Sequence, residues 1–103
     1  MNNIGSVSEL DKLVITSTNL IVIDYYADWC GPCKQMVPFL EELAAANPNV
    51  TFVKVNTGVL TEIVNKHEIK GLPTFKFMKN QQLLTTITGA DANGVKNAVN
   101  QYA

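Results

Sequence analysis

Cysteine, histidine and tryptophan are scarce in this sequence of 103 residues, which contains two cysteines, one histidine and one tryptophan. Because no cysteine lies beyond that pair, regulation by further thiols and dimerisation through an extra disulfide are excluded. An excess of charge is also missing, since eight lysines and arginines against nine aspartates and glutamates give a formal net charge of −1. With no basic stripe either, we expect neither nucleic acid nor an anionic membrane surface as a partner.

Long hydrophobic runs are absent as well. The apolar runs that do occur, such as LIVI at residues 20–23, are far shorter than the about 20 apolar residues that a membrane span requires. The N-terminal residues MNNIGSVSEL have neither the charged start and apolar stretch of a secretory signal nor the Arg-rich character of a transit peptide. We therefore expect a cytoplasmic protein that does not cross a membrane.

No linker, repeat or low-complexity segment divides the chain. A hydrophobic content of 47% with 17% charged residues suits one globular core, so we predict a single domain over residues 1–103. Apolar runs rich in β-branched and aromatic residues at 20–26 and 50–55 predict strands that are buried on both faces of a sheet. Shorter strands are predicted at 2–5, 74–78 and 83–88, the last two joined by a tight turn at Asn80 and Gln81.

Helical spacing of apolar residues predicts four helices: one after Ser6, one from the Gly31–Pro32 turn to about Ala46, one over residues 59–67, and one capped by Asp91. In the third helix one face would carry the apolar residues and the histidine, namely Val59, Leu60, Ile63, Val64 and His67. The order βαβαβαββα predicts an α/β protein with a central mixed sheet and helices on both of its faces.

Both cysteines lie in one short motif, Trp-Cys-Gly-Pro-Cys at residues 29–33, just after a central strand and at the start of the next helix. Reaction sites of open α/β sheets gather at that edge. Cys30 precedes the first helical residue or occupies it, where unpaired amides and the helix dipole favour a thiolate, so we predict that Cys30 is the nucleophile. Cys33, about one turn deeper, is within disulfide reach and is the predicted resolving thiol.

Two other interpretations of the pair remain open. A purely structural disulfide over so short a loop contributes only about 2 kcal/mol in the chain-entropy model. A zinc site needs four ligands, and His67 is the one further candidate, which we interpret as a helix-end residue without a catalytic role. With so few ligands, we expect no metal. No Gly-rich phosphate loop follows any strand, so we expect no bound cofactor either.

Three segments together resemble the thioredoxin family over the whole chain: IVIDYYADWCGPCKQMVPFLEELA at 21–44, KGLPTFKFMKN at 70–80 and TGA at 88–90. The resemblance implies a thioredoxin fold and a dithiol electron carrier that reduces disulfides of other proteins. Reduced Cys30 would attack a disulfide of a partner to give a mixed disulfide, and Cys33 would then attack Cys30 and release the reduced partner.

The same resemblance implies the partners. They are an NADPH-dependent thioredoxin reductase, which uses NADPH in its own flavoenzyme site, and disulfide-containing clients such as peroxiredoxins or reductases. The chain itself would act as a monomer.

Asp24 stands in the middle of an apolar strand, where burial raises the pKa of a carboxyl group toward neutrality. From the residues alone, a proton-transfer role and an ordinary hydrogen-bonded aspartate are equally open. The resemblance implies that Asp24 is the buried acceptor that helps to deprotonate Cys33. It also implies that Lys54 on the neighbouring strand modulates this carboxyl group.

A shallow apolar docking surface is expected around the cysteines. The first loop would supply Trp29, Gly31 and Pro32, the second Leu72 and Pro73, and the third Gly89 and Ala90. The resemblance implies a cis peptide bond before Pro73 and pairing of a partner's extended segment with the backbone at Leu72.

The chain departs from the family pattern at Asn56 and Gly58, where acidic residues are common, and at Gln81, which replaces a turn glycine. We expect the first two departures to alter partner preference and the third to cost stability in the turn.

Two competing functions remain. One is a binding or assembly subunit of the same fold whose cysteines are dispensable. The other is an oxidant or isomerase of an oxidising compartment, although the Gly-Pro pair between the cysteines resembles the reducing branch.

Overall fold

Strands and helices follow one another in the predicted order in the structure, a computed structural model that describes residues 1–103. The strands are β1 (Asn2–Asn3), β2 (Ile21–Tyr26), β3 (Thr51–Asn56), β4 (Thr74–Lys79) and β5 (Gln82–Thr88). The helices are α1 (Val7–Thr16), α2 (Gly31–Ala46), α3 (Glu62–Lys66) and α4 (Ala92–Tyr102). The predicted order βαβαβαββα is confirmed.

All five strands form one sheet in the order β1-β3-β2-β4-β5. Strand β3 pairs in parallel with both β1 and β2, whereas β4 is antiparallel to β2 and to β5. The sheet is therefore mixed, as predicted, and β2 lies at its centre. The carboxyl ends of the parallel strands β2 and β3 meet at the same edge.

The core has two halves, one on each face of the sheet. Val22, Phe75 and Phe77 pack with buried residues of α2 and α4 on one face. Ile23 and Tyr25 pack with residues of α1 and α3 on the other face. Strand β2 is thus buried on both faces, which explains its nearly continuous apolar sequence. No helix combines the length and the apolar character that a membrane crossing needs.

Helices α1 and α4 begin at side chains that accept backbone hydrogen bonds. The Ser6 hydroxyl accepts from the Glu9 N–H at 3.1 Å, and the Glu9 carboxylate reaches back to the Gly5 N–H at 3.0 Å. The Asp91 carboxylate accepts from the Gly94 N–H at 2.9 Å. Each contact satisfies a backbone donor that has no partner inside the helix.

The third helix is shorter than predicted. It covers Glu62–Lys66 instead of 59–67, and Val59, assigned to its apolar face, is 71% exposed. The cause is Asn56, whose side chain accepts from the Gly58 N–H at 2.9 Å while its carbonyl accepts from the N–H groups of Val59 and Leu60. These bonds turn the chain before the helix begins, so the apolar spacing continues through residues that are not helical.

Asn80 and Gln81 form the predicted tight turn between β4 and β5. Both have left-handed backbone conformations, with φ angles of 51° and 65°. Asparagine tolerates this region and glycine adopts it freely, whereas a longer side chain such as glutamine is disfavoured there by about 1 to 2 kcal/mol.

We predict that Gln81→Gly raises the free energy of unfolding by about 1 kcal/mol, because glycine removes the clash of Cβ in the left-handed conformation. Urea unfolding followed by circular dichroism measures the change. Gln82→Gly, one residue later and inside β5, is the matched control and should lower stability. A loss of stability in both variants would contradict this explanation of the turn.

Candidate active site

The cysteine pair lies where β2 passes into α2. Cys30 is the N-cap of α2, and its sulfur accepts a hydrogen bond from the Cys33 N–H at 3.2 Å. The two cysteines form a disulfide with their Cα atoms 5.3 Å apart. Both are nearly buried, at 4% and 5% exposure, although the adjacent Trp29 is 78% exposed. An approaching molecule therefore meets an exposed aromatic ring beside two sulfur-bearing residues that are themselves almost buried.

The second and third predicted loops meet beside this pair. The Leu72–Pro73 peptide bond is cis, and Leu72 packs against the small cluster that Ala27 forms with the two cysteines. The Gly89 N–H donates to the Pro73 carbonyl at 2.7 Å, and the Thr74 hydroxyl donates to the Gly71 carbonyl at 2.6 Å. The structure thus brings together the three segments, far apart in sequence, that carry the predicted docking residues.

An open groove of about 590 Å³ extends from Cys30 toward α3. Among the residues predicted for docking, four line it: Trp29, Gly31, Pro32 and Leu72. Three others, Pro73, Gly89 and Ala90, lie outside its lining. Sequence reasoning did not place the remaining wall in the docking surface, although it linked Gly58 to partner preference. This wall consists of Thr57, Gly58, Val64, Ile69, Lys70 and Gly71. Thr57 and Gly58 follow the carboxyl end of β3, and the tendency of sites to form at that edge could have identified them.

Asp24 is 3% exposed, and its Oδ1 atom has no hydrogen-bond partner. Burial raises the pKa of this carboxyl group from 3.8 to about 6, and the nearby Lys54 ammonium opposes the rise. A cavity of about 90 Å³ is lined by Asp24, Cys33 and Lys54 together. The three side chains assigned to proton transfer from the sequence therefore face one small space.

His67 makes a structural contact on the other half of the core. It ends α3, and its Nδ1 atom lies 2.7 Å from the hydroxyl of the buried Tyr25. Burial and the neighbouring Lys76 lower the pKa of His67. The structure contains no group of three or more histidine, cysteine, aspartate or glutamate side chains that could hold a metal ion.

The site combines three features: two cysteines at the start of a helix, their position after the carboxyl end of a central strand, and a nearby buried carboxyl group. Together these features define a thiol–disulfide oxidoreductase. The thioredoxin family model matches residues 4–101. The chain belongs to the thioredoxin family, whose members are protein-disulfide reductases with such a pair at the active site. The predicted fold and class are confirmed, and the alternative of a binding subunit with dispensable cysteines is not favoured.

Three relatives show how far the similarity extends. Thioredoxin 1 of Plasmodium falciparum is 35% identical over 100 residues, which cover 97% of this chain and 95% of that protein. A solved P. falciparum thioredoxin has a TM-score of 0.94 at 33% identity, with full coverage of both chains. The mitochondrial thioredoxin-2 of Schizosaccharomyces pombe is 38% identical over 88 residues, covering 85% of this chain and 66% of that protein.

The chain also resembles part of a larger protein. A peptide-N(4)-(N-acetyl-beta-glucosaminyl)asparagine amidase of Caenorhabditis elegans is 36% identical over 104 residues, which cover 99% of this chain but only 17% of the amidase. The similarity to that protein is therefore confined to a small part of its length.

The raised pKa of Asp24 makes stability depend on pH. The folded protein binds this proton more tightly than the unfolded chain does, so the free energy of unfolding falls as the pH rises from about 4 to about 6. We predict that Asp24→Asn in the disulfide form is more stable than the unmodified chain at pH 7 by about 2 to 3 kcal/mol, and that the difference disappears near pH 4.

Guanidinium unfolding at pH 4 and pH 7 tests this prediction. Asp28→Asn replaces an exposed carboxyl group in the turn just after β2 and should change stability by less than about 0.5 kcal/mol at either pH. An Asp24→Asn variant with the same stability difference at both pH values would show that Asp24 is not the titrating group.

Proposed function

We propose that the chain is a general protein-disulfide reductant and dithiol electron carrier, with Cys30 as the nucleophile and Cys33 as the resolving thiol. The observation that carries the proposal is the position of Cys30 as the N-cap of α2, beside the groove, with Cys33 within disulfide distance. We also propose that residues 1–103 form one domain that acts as a monomer, which fits the single sheet and its two core halves.

The start of α2 favours the thiolate of Cys30. The Cys33 N–H donates to the Cys30 sulfur, and the positive end of the helix dipole points at it. This thiolate attacks one sulfur of the client disulfide, forms a mixed disulfide and releases the other client sulfur as a thiolate, which takes up a proton. The Cys33 thiolate then attacks the Cys30 sulfur, so the mixed disulfide breaks and the second client sulfur leaves as a thiolate, which takes up a proton. Two electrons pass to the client, and the Cys30–Cys33 disulfide remains.

Asp24 takes the proton of Cys33 in this proposal. The support is the cavity that both side chains line, together with an Oδ1 atom that no other group engages. With a pKa of about 6, the carboxyl group is mostly ionised at neutral pH but still has appreciable proton affinity. Lys54, which lines the same cavity, lowers that affinity by its charge.

A client binds, we infer, as an extended segment beside Leu72. The backbone N–H and carbonyl of Leu72 make no backbone hydrogen bond within the chain, so both are free to pair with another strand. Trp29, Gly31 and Pro32 would flank the client on one side of Cys30, and Pro73, Gly89 and Ala90 on the other. The exposed Trp29 ring and the apolar groove suit aliphatic or aromatic client residues.

The family as a whole works with thioredoxin reductase and disulfide clients. For this chain we propose re-reduction by an NADPH-dependent thioredoxin reductase, no bound cofactor of its own, and clients that include peroxiredoxins or reductases. We propose the cytoplasm as its compartment, because a reducing pool keeps the pair ready for attack. The S. pombe relative is mitochondrial, so mitochondria are the alternative compartment that a localisation experiment should test.

We predict that Cys30→Ser reduces insulin disulfides no faster than the buffer does, because the attacking sulfur is lost. Cys33→Ser should instead accumulate mixed disulfides with clients, because release needs the second thiol. Non-reducing gel electrophoresis of extracts from the source cell measures the trapped species. Gln35→Ser, an exposed exchange in the same helix, serves as the control and should retain full activity.

The roles of the two cysteines would be wrong if Cys33→Ser trapped no client while the unmodified protein remained active. A double Cys30→Ser, Cys33→Ser variant that complemented loss of the protein in the source cell would instead support the binding-subunit function.

The redox equilibrium of the pair against a glutathione buffer separates a reductant from an oxidant. Trp29, the only tryptophan, lies next to Cys30 and reports the change by its fluorescence. We predict a reduction potential below that of the cytosolic glutathione pool, because the Gly-Pro pair between the cysteines resembles that of reducing family members. A potential well above the pool would assign the chain to oxidation or isomerisation.

A further inference from the structure

Asp24 and Lys54 are neighbours in the sheet without forming an ion pair. They are register partners on the parallel strands β2 and β3, so their side chains leave the same face of the sheet side by side. The one ion pair within 4.0 Å in the structure joins Lys66 and Asp11, and Asp24 Oδ1 has no hydrogen-bond partner. Burial strengthens the attraction between a carboxylate and an ammonium group, so another contact of Lys54 is needed to explain why its ammonium group lies more than 4.0 Å from the carboxyl group.

Tyr26 provides that contact. The Lys54 Nζ atom lies 4.6 Å from the centroid of the Tyr26 ring, within the range of a cation–π interaction. Tyr26 comes two residues after Asp24 on β2, and therefore projects from the same face of the sheet. Its hydroxyl donates to Asn3 Oδ1 at 2.9 Å, and Asn3 is the register partner of Lys54 on β1. The ring is thus fixed at both ends across β3, next to the lysine.

We propose that Tyr26 is a positioning residue that holds the Lys54 ammonium group on the face of its ring and off the Asp24 carboxyl group. Asn3 fixes the ring in this place through the tyrosine hydroxyl. Without the ring, the lysine side chain is free to close on Asp24. The inference deepens the proposed function, on which it rests, because a carboxylate in a direct ion pair is a poorer acceptor for the proton of Cys33.

Other titratable or charged groups also face Asp24, but they are exposed or do not titrate in the disulfide form. The cavity that Asp24 shares with Cys33 is also lined by Asp28 and Lys34, both exposed. A second cavity, of about 110 Å³, joins Asp24 and Lys54 to the exposed Glu41 and to Met1, the N-terminal residue. Lys54 is the charged neighbour that acts on the pKa of Asp24, against the effect of burial. Its distance from the carboxyl group is therefore the variable that Tyr26 controls.

A carboxyl ¹³C NMR titration of Asp24 tests the proposal in the disulfide form, where neither cysteine titrates. We expect Tyr26→Leu to lower the pKa of Asp24 by about 1, the effect of a cation that moves into direct contact. Tyr26→Phe retains the ring and loses only the hydrogen bond to Asn3, so the pKa should lie between that of the unmodified chain and that of Tyr26→Leu. Lys54→Met should raise the pKa, because the opposing positive charge is lost.

If leucine admitted water to Asp24, the pKa would fall without any movement of Lys54. The double variant Tyr26→Leu, Lys54→Met separates the two causes. We expect Tyr26→Leu to change the pKa of Asp24 little when Lys54 is already methionine. An equal fall in both backgrounds would mean that the ring only excludes water, and an unchanged or raised pKa in Tyr26→Leu would also overturn the proposal.

One measurement needs no substitution. If the ammonium end of Lys54 lies on the ring face, the ring current shifts its Hε protons upfield of those of the other lysines. Coincident shifts would overturn the proposal even if Tyr26→Leu failed to fold. None of these readouts depends on disulfide reduction, so a failure here is distinguishable from a failure of the cysteine roles, which the serine variants test.

Discussion

Strand β2 has to be buried on both faces and still carry a carboxyl group, and the site depends on how the fold meets that constraint. The apolar residues around Asp24 build the two halves of the core and at the same time remove water from the carboxyl group. The sheet pairs this strand with β3 on one side and β4 on the other, which fixes the backbone of Asp24 inside the sheet. One arrangement therefore provides stability in the core and proton affinity near neutral pH in the site.

The junction after β2 combines structure and reactivity in one residue. The chain turns within three residues, with the Cys30 N–H bonded to the Ala27 carbonyl at 3.1 Å, and Cys30 then caps α2. Serine, threonine, asparagine or aspartate is more usual at such a cap. Here a sulfur accepts the N–H of Cys33, a first-turn donor without a partner inside the helix, so the donor that helps the helix to begin also stabilises charge on the nucleophile.

Features that leave a local mark in the sequence were predictable. Burial on both faces made β2 a nearly continuous apolar run, and the Cys-Gly-Pro-Cys motif marked the start of α2. The length of α3 was not predictable from its spacing, because the Asn56 carbonyl and side chain bind the amides that would have begun a longer helix. The contact of Lys54 with Tyr26 could not be predicted from a local sequence pattern either. It depends on the registers of three strands, with the Asn3–Tyr26 hydrogen bond joining residues 23 positions apart.

The free backbone groups of Leu72 have a consequence for which disulfides the proposed binding mode can reach. Pairing with this peptide requires a client strand whose own N–H and carbonyl groups are not already engaged. A disulfide between central strands of an intact sheet then cannot bind in this mode, whatever its chemical reactivity. Disulfides at sheet edges, in mobile loops and in partly folded chains remain available. Selection among clients would thus follow their conformational state more closely than their side-chain sequence.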